Sequence, residues 1–206
     1  MIKLKFKDMK NIYLTSQFVS VASKIKKDIN LQKPKTVFIY TAAEEEYLKE
    51  DWFLNNKKVL LENDFDIVEY SITNKTYKEI KDFINPFDVI FVCGGNTFYL
   101  LEKTIESGFD KVLDEVLDEK IYIGHSAGSV LLGNSVALKS NPPKTNLKNF
   151  DGLKQVNFTI VPHWGRESAR EAKMALFEKM YDLGDNVLLL KDTSYIFTDG
   201  LNYTIY

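Results

Sequence analysis

The chain has 206 residues, of which 45% are hydrophobic and 27% are charged, so its composition is that of one globular domain and excludes global disorder. Its 27 basic and 29 acidic residues leave a formal net charge of −2, which gives no support for binding to nucleic acid or to an anionic membrane. The single cysteine, Cys93, excludes an intramolecular disulfide and a zinc site built from cysteines alone.

Neither a leader nor a membrane span is predicted. Residues 1–10 contain recurring polar side chains rather than the apolar core of a secretory signal. No apolar run approaches the ~18 residues of a membrane span. We therefore expect a cytoplasmic protein in which residues 1–206 form a single α/β domain. Met9 is a second plausible start, so residues 1–8 are expected to be a dispensable extension.

Short β-branched runs alternate with helical patterns along the chain. The predicted strands are Asn11–Ser16, Thr36–Thr41, Asp66–Ile72, Asp88–Cys93, Ile121–Ile123, Ser135–Lys139, Val156–Val161, Val187–Leu190, Tyr195–Thr198 and Asn202–Tyr206. The predicted helices are Ala42–Asn63, Thr76–Ile84, a stretch from Leu100 to Leu117 broken at Ser107-Gly108, Ala127–Leu132 and Glu167–Leu183. Because strands separated by helices form βαβ units, this pattern predicts a three-layer α/β domain with a mostly parallel sheet. The strand-rich C-terminal tail is expected to add antiparallel strands.

The segment Gly124-His125-Ser126-Ala127-Gly128 fits the pattern G-x-S-x-G between a buried strand and a helical stretch. In such a turn the serine hydroxyl stands above the carboxyl end of the sheet, and the small flanking residues let strand and helix approach closely. The start of the following helix favours the negative charge of an oxyanion. The pattern predicts Ser126 as a nucleophile, with the backbone N–H of Ala127 as an oxyanion donor. The alternative is a tight packing turn with a buried serine.

A nucleophilic serine needs a base, and the chain has two histidines. His125 adjoins Ser126, so its side chain leaves the turn in another direction. His163 follows an apolar strand, and side chains at the carboxyl ends of strands gather at the functional edge of an α/β sheet. We therefore predict His163 as the base, the alternative being a structural histidine.

The base in turn needs an acceptor that holds one tautomer of its imidazole. Three residues are candidates for this role. Asp192 follows the apolar run 187–190, Asp151 precedes the predicted strand that leads to His163, and Asn141 lies in a loop that contains proline. Sequence spacing alone does not rank them.

Two glycines follow the apolar fourth strand. Gly94 and Gly95 permit close backbone approach and positive φ, so this loop could supply a second oxyanion N–H. The alternative is a plain turn in which Asn96 or Thr97 caps the next helix. Cys93, directly before the glycines, is predicted to be a buried and inert thiol.

Only two of the 27 basic residues are arginines, and both come shortly after His163. Arg166 and Arg170 are four positions apart, on one face of the predicted helix. Arginine binds carboxylates better than lysine does because its planar guanidinium donates two parallel hydrogen bonds. The pair predicts a site that reads an acidic group beside the base, or alternatively a surface pair with Glu167 and Glu171.

Three segments carry a family resemblance, namely Val92–Leu101 (VCGGNTFYLL), Gly124–Ser129 (GHSAGS) and Val161–His163 (VPH). They resemble peptidase E, the α-aspartyl dipeptidase family of cytoplasmic serine peptidases, and Met9–Ser16 is similar to the family's start. The combination of the Gly-Gly-Asn-Thr block with a Ser-Ala-Gly turn at this separation is specific, and the resemblance covers roughly Met9–Tyr206. It implies a flavodoxin-like sheet shared with class I glutamine amidotransferases, which have cysteine in place of the serine.

Carried over position by position, the resemblance implies a nucleophile, a base and two oxyanion donors at Ser126, His163, Gly95 and Ala127. The family's acid falls on Asp192, in a Lys-Asp-Thr turn where the family has a Pro-Glu-Gly-like turn, and a second family acid falls near Asn141. The resemblance also implies substrate binding by Asn96 and Arg170.

We therefore predict a serine peptidase that hydrolyses small peptides, including dipeptides that begin with Asp, without a cofactor or metal. One alternative is a serine esterase of the α/β-hydrolase type, but that fold runs Ser, acid, His along the chain, an order that only Asp151 as the acid would restore. A non-catalytic binding or sensor module is another alternative. The expected partner is a small peptide rather than nucleic acid or membrane, and a homodimer is one open alternative for the oligomeric state.

Overall fold

The computed structural model of the chain describes residues 10–45, 47–137, 146–182 and 184–206. The proposed extension at residues 1–8, the candidate acid Asn141 and the end of the predicted strand Ser135–Lys139 lie outside these ranges. Within them, no helix is long and apolar enough to cross a membrane.

Seven strands form one central sheet, and two more form a small second sheet. The strands are β1 (Asn11–Thr15), β2 (Lys35–Ile39), β3 (Asp66–Tyr70), β4 (Val89–Val92), β5 (Ile121–His125), β6 (Thr159–Val161), β7 (Val187–Leu189), β8 (Tyr195–Thr198) and β9 (Tyr203–Ile205). The large sheet has the order β3-β2-β4-β5-β1-β8-β9 across the described residues. Its first five strands are parallel, whereas β8 and β9 are antiparallel additions, which confirms the prediction for the C-terminal tail.

The order β3-β2-β4-β5 is flavodoxin-like when the strands are counted from β2. The N-terminal strand β1 takes the next place, so it is a central strand with β5 on one side and β8 on the other. As a consequence, the residues that follow β1 lie beside the carboxyl end of β5, where Ser126 is found.

Helices cover both faces of the large sheet and make the three predicted layers. They are α1 (Ala22–Ile29), α2 (Asp51–Glu62), α3 (Tyr77–Ile84), α4 (Thr97–Ser107), α5 (Phe109–Val116), α6 (Ala127–Leu131) and α7 (Arg170–Asp182). Buried residues of α1 and α2 belong to the core on one face, and those of α3, α4, α5 and α6 belong to the core on the other. Alternation along β4 shows both faces of the sheet, because Val89 and Phe91 belong to the first core, whereas Ile90 and Val92 belong to the second.

The small sheet pairs β6 with β7 in parallel, with Val161 opposite Leu189. Apolar side chains of α7 pack on it, because Leu176 and Met180 form a separate buried cluster with Val161. This sheet is short: the predicted strand Val156–Val161 is reduced to its last three residues.

One helix prediction was wrong in part, and one helix was not predicted. The predicted helix Ala42–Asn63 begins only at Asp51, because Thr41–Ala43 forms a 3-10 turn whose Ala42 carbonyl accepts the Asn96 N–H at 2.7 Å. The helix Ala22–Ile29 was missed altogether. In contrast, the predicted break at Ser107-Gly108 is confirmed, since Gly108 separates α4 from α5 with a φ of 75°.

Candidate active site

Ser126 occupies a strained turn between β5 and α6. Its φ of 49° and ψ of −102° are rare for a residue with a side chain, so the surrounding contacts must hold this conformation. The Ser126 N–H donates to the Thr15 carbonyl of β1 at 2.9 Å, and the Ser126 carbonyl accepts from Ser129 and Val130 of α6. The half-buried hydroxyl therefore stands at the carboxyl end of the sheet.

The two glycines of the pentapeptide allow strand and helix to come together. A Cβ atom added to Gly124 would lie 2.7 Å from the Ser129 nitrogen, and one added to Gly128 would lie 2.2 Å from the Val92 carbonyl oxygen. No side chain fits at either distance, so the close approach predicted from the sequence is present.

Ser129 ties this turn to β1. Its hydroxyl accepts the Thr15 N–H at 2.8 Å and lies 2.8 Å from the carbonyl oxygens of Thr15 and Gly124. A hydroxyl has one proton, so it donates to one of these carbonyls at a time. The Thr15 hydroxyl donates to Gly124 as well, at 2.9 Å. The carboxyl ends of β1 and β5 are thus held together beneath Ser126.

His163 and Asp192 come from the carboxyl ends of the two strands of the small sheet. His163 follows β6 and Asp192 follows β7, and backbone bonds join the two strand ends: the Leu190 N–H donates to Val161 at 3.0 Å and the Trp164 N–H to Leu190 at 3.1 Å. His163 Nδ1 lies 2.8 Å from Asp192 Oδ1. The structure thus brings the predicted base and one predicted acid into direct contact.

The imidazole of His163 links this pair to Ser126. Its Nε2 lies 3.0 Å from the Ser126 Oγ, on the ring edge opposite to the Nδ1 that meets Asp192. A carboxylate only accepts hydrogen bonds, so the Nδ1 carries the proton and the Nε2 lone pair faces the hydroxyl. This is the arrangement a general base needs.

The carboxylate of Asp192 has two further donors that the sequence did not reveal. The Ser16 hydroxyl donates to Oδ1 at 2.6 Å, and Arg166 Nε donates to Oδ2. Burial alone would raise the pKa of Asp192, but the hydrogen bonds from Ser16, His163 and Arg166 outweigh it and lower that pKa. Asp192 is therefore ionised at neutral pH.

The protonation of both histidines follows from their burial. Burial lowers the pKa of His163 below its ordinary value, and the Arg166 charge adds to this, although the bond to Asp192 acts in the opposite direction. His125 is almost completely buried, which lowers its pKa to about 3. Both imidazoles are neutral at pH 7, which is the form in which His163 can take a proton.

A cavity of about 400 Å³ opens over Ser126. One part of its lining comes from α2 and the residues just before it, namely Tyr47, Trp52, Asn55 and Asn56. Gln17 and Val19, after β1, and the two glycines after β4 contribute as well. Among the described residues that line this cavity, Arg166 carries the one full charge. The cavity is thus mostly neutral, with amide and aromatic side chains.

His125 belongs to the wall of this cavity rather than to the Ser126–His163–Asp192 contacts. Its ring meets that of Trp52 in an edge-to-face arrangement with 6.0 Å between centroids. A Cβ atom added to Gly94 would lie 3.3 Å from the His125 ring, so the glycine leaves room for the imidazole. The prediction that this side chain leaves the turn in a different direction is in keeping with these contacts.

Both glycines of the loop after β4 line the cavity, and the next residue caps a helix. Gly95 lines the cavity with a φ of 142°, and a Cβ atom there would lie 2.0 Å from the Ala42 carbonyl oxygen. Asn96 caps α4: its Oδ1 accepts from the N–H groups of Phe98 and Tyr99 at 3.1 and 3.2 Å. The capping alternative for Asn96 is therefore present, and its predicted substrate contact stays a prediction.

Three other residues that the sequence singled out do not line the cavity over Ser126. Arg170 is exposed, lies 3.6 Å from Glu167, and lines a second cavity that shares Arg166 with the first. Asp151 is exposed and pairs with Lys154 at 2.9 Å. Cys93 is completely buried, and burial raises the pKa of its thiol, in agreement with an inert role.

Sequence reasoning missed Ser16, Arg166 as a partner of Asp192, and the Trp52 wall. A weak signal existed for Ser16, since it directly follows a central strand at the edge where functional groups gather. The sequence predicts Ser16 only as the last residue of that strand. Its contacts depend on the small sheet, whose position the sequence did not predict.

Comparison with known proteins agrees with the fold. A sequence profile of peptidase family S51 matches residues 11–206. An uncharacterized peptidase of Listeria monocytogenes is 34% identical over 169 residues, which are 79% of this chain and 82% of that protein. Peptidase E of Haemophilus influenzae is 31% identical over 106 residues, 50% of this chain and 45% of that protein.

Solved structures have the same architecture. The crystal structure of a candidate peptidase E protein from Listeria monocytogenes has a TM-score of 0.85 at 30% identity and covers 96% of this chain and 98% of that one. A peptidase from an acI-B1 actinobacterium, at 16% identity, shares the fold with a TM-score of 0.71, over 100% of this chain and 90% of that one.

Together with the fold, these matches define a serine-type peptidase, a hydrolase. More particularly, the chain belongs to peptidase family S51. The resemblance to peptidase E that the sequence motifs indicated is confirmed.

Proposed function

We propose that the chain hydrolyses small peptides with Ser126 as nucleophile, His163 as general base and Asp192 as the acid that orients His163. The observation that carries this proposal is the continuous line of contacts from the Ser126 Oγ to His163 Nε2, at 3.0 Å, and from His163 Nδ1 to Asp192 Oδ1, at 2.8 Å. The chain order Ser, His, acid differs from that of the α/β-hydrolases.

In the proposed reaction His163 takes the proton of the Ser126 hydroxyl as the oxygen attacks the peptide carbonyl. The resulting imidazolium lies against the ionised Asp192, which stabilises its charge. The proton then passes to the leaving amine, and water repeats the sequence on the acyl-enzyme. The backbone N–H groups of Gly95 and Ala127 are the proposed donors to the oxyanion: Gly95 lines the cavity, and Ala127 begins α6 directly after Ser126.

The size and charge of the cavity support a small substrate. A volume of about 400 Å³ falls at the lower end of the range for small-molecule sites, roughly 300–1,000 Å³. For dipeptides that begin with Asp, the proposal needs a cation to bind the carboxylate. Arg166 is in the wall of this cavity but donates to Asp192, and Arg170 faces the neighbouring cavity.

A dipeptide panel with varied first residues tests the proposal. Asp-Leu and Ala-Leu should be included, and Ser126→Ala serves as the control for a contaminating peptidase. We expect hydrolysis by the wild type and none by Ser126→Ala. Equal turnover by the two proteins would contradict the proposed nucleophile, whereas equal rates on Asp-Leu and Ala-Leu would remove only the Asp preference.

A further inference from the structure

Ser16 directly follows β1, and its side chain is fully buried. Its hydroxyl accepts the backbone N–H of His163 at 2.7 Å and donates to Asp192 Oδ1 at 2.6 Å. The same oxygen lies 3.2 Å from His163 Nδ1. A hydroxyl has one proton and two lone pairs, so these three contacts use its full capacity. None of that capacity is left for water or for a substrate.

The position of Ser16 matters because the candidate site is divided between two sheets. Ser126 follows β5 of the large sheet, whereas His163 and Asp192 follow the strands of the small one. The segment Thr15-Ser16 contacts the residues from both sheets. The Thr15 carbonyl accepts the Ser126 N–H at 2.9 Å, and the Ser16 hydroxyl bonds to His163 and Asp192. These two residues therefore connect the nucleophile to its base by consecutive hydrogen bonds.

We propose that Ser16 is a positioning residue for the hydrolysis proposed above, on which this inference rests: it sets the base and the acid in place against the nucleophile. It does so at two points. Its lone pairs face the His163 N–H and Nδ1, and its proton goes to Oδ1 of Asp192. This places the Nδ1 proton of His163 between two acceptors and leaves the Nε2 lone pair for Ser126.

The backbone of His163 gives the second reason for such a tie. The φ of His163 is 61°, in the left-handed region that residues other than glycine rarely adopt. Conformations of this kind persist only where neighbouring contacts hold them. The 2.7 Å bond from the His163 N–H to Ser16 is a contact of that kind, made at the strained residue itself. Without it, the imidazole is free to move away from its 3.0 Å contact with Ser126.

The test is the rate at which a fluorophosphonate labels Ser126, measured as a function of pH, because this probe needs no knowledge of the natural substrate. Ser16→Ala should label about 10–100-fold more slowly than the wild type, the loss expected from a misplacement of about 1 Å. The acid limb of the profile, over which the labelling rate falls as His163 becomes protonated, should lie at higher pH in this variant. The reason is that an Asp192 that lacks its 2.6 Å donor stabilises the imidazolium more strongly. The other charged groups that act on His163, namely Arg166 and Lys173, are unchanged in this variant.

Two further variants separate positioning from a general structural role. Ser16→Thr keeps the hydroxyl and should recover most of the labelling rate, with the acid limb of the wild type. Ser20→Ala removes a hydroxyl of the same segment that is exposed and donates to Gln17 at 3.2 Å, so it should behave as wild type. Wild-type rate and acid limb in Ser16→Ala would overturn the proposal.

Ser126→Ala, as a reference variant, distinguishes failure of the proposal for Ser16 from failure of the proposed function. If Ser126→Ala is labelled as fast as the wild type, the proposed nucleophile is wrong, and the proposal for Ser16 falls with it. If Ser126→Ala is not labelled and Ser16→Ala is labelled as fast as the wild type with the same acid limb, the proposal for Ser16 alone is wrong. Should circular dichroism show that Ser16→Ala is unfolded, Ser16→Cys, of similar size but with a weak donor, must show the slower labelling instead, and an unchanged rate there overturns the proposal.

Discussion

Replacing Asp192 by asparagine changes the chemistry of the candidate site while keeping its shape. Oδ2 receives the charged Arg166 Nε, and Oδ1 receives His163 Nδ1 and the Ser16 hydroxyl. An asparagine has one oxygen and one NH₂ group, and the guanidinium accepts no hydrogen bond. The amide oxygen therefore turns to Arg166, which leaves the NH₂ group facing His163.

An NH₂ group in the place of Oδ1 favours the tautomer of His163 that has its proton on Nε2. In that tautomer Nε2 cannot accept the proton of Ser126. A hydrogen bond to a charged group contributes about 1.5–3 kcal/mol, so the productive tautomer becomes about 10–150-fold less populated. Loss of the carboxylate charge also lowers the pKa of the paired imidazole, which makes His163 a weaker base. We expect kcat to fall by about 10³, compared with about 10⁴ for the same change in a well-studied triad.

The assay is the hydrolysis of the best peptide of the panel at pH 7.5 or so, with kcat and KM measured separately. Asp151→Asn is the matched control, since it is the same substitution in an exposed residue that pairs with Lys154 on the surface, and its kcat should stay within about twofold. A kcat for Asp192→Asn within tenfold of the wild type, or a larger loss in Asp151→Asn, would refute the assignment of Asp192.

Four other outcomes are expected. Ser126→Ala and His163→Ala should each remove nearly all turnover, and the double variant should lose little more than either one, whereas additive losses would contradict a shared mechanism. Because burial lowers the pKa of His163 and only its neutral form accepts a proton, kcat/KM should rise with pH along a limb centred below 6.5; a limb at or above 6.5 contradicts this. Arg166→Ala should reduce kcat/KM on every peptide more than Arg170→Ala does, since Arg166 donates to Asp192; a larger loss in Arg170→Ala on Asp-Leu alone would restore Arg170 as the carboxylate receptor. Gly128→Ala should lower the free energy of unfolding in urea by about 1–3 kcal/mol, through overlap with the Val92 carbonyl. In Gly184→Ala the added Cβ meets no described residue within 4 Å, so the loss should be about 1 kcal/mol, from the φ of 68° alone, and a loss equal to that of Gly128→Ala would contradict the packing argument.

The strands of the large sheet were predictable because burial on both faces requires nearly continuous apolar runs. Residues 88–93 and 121–123 have this pattern, and β4 and β5 lie there. The helix α1 was not predicted because it is short and has charged residues at half of its positions, so its buried face has only Ala22, Ile25 and Ile29. The start of α2 depends instead on contacts of Thr41–Ala43 with the glycine loop, which are distant in sequence.

The candidate site was predictable at Ser126, because its pattern is local: glycines two positions before and after, a strand on one side and a helix on the other. His163 was predicted by elimination, and Asp192 became the favoured acid only through the family resemblance. The spacing of residues in the sequence could not predict that β6 pairs with β7 in a small sheet. It therefore could not predict the contacts of Ser16 and Arg166 with Asp192. These depend on where that sheet packs.

The central claim is that His163, held by Asp192, activates Ser126. The most direct measurement is peptide mapping by mass spectrometry after fluorophosphonate treatment of the wild type and of His163→Ala at equal concentration. We predict one label on the wild type, on the peptide that contains Ser126, and a rate of labelling in His163→Ala lower by at least about 10³. A label on another residue, or equal labelling of Ser126 in both proteins, would contradict the claim.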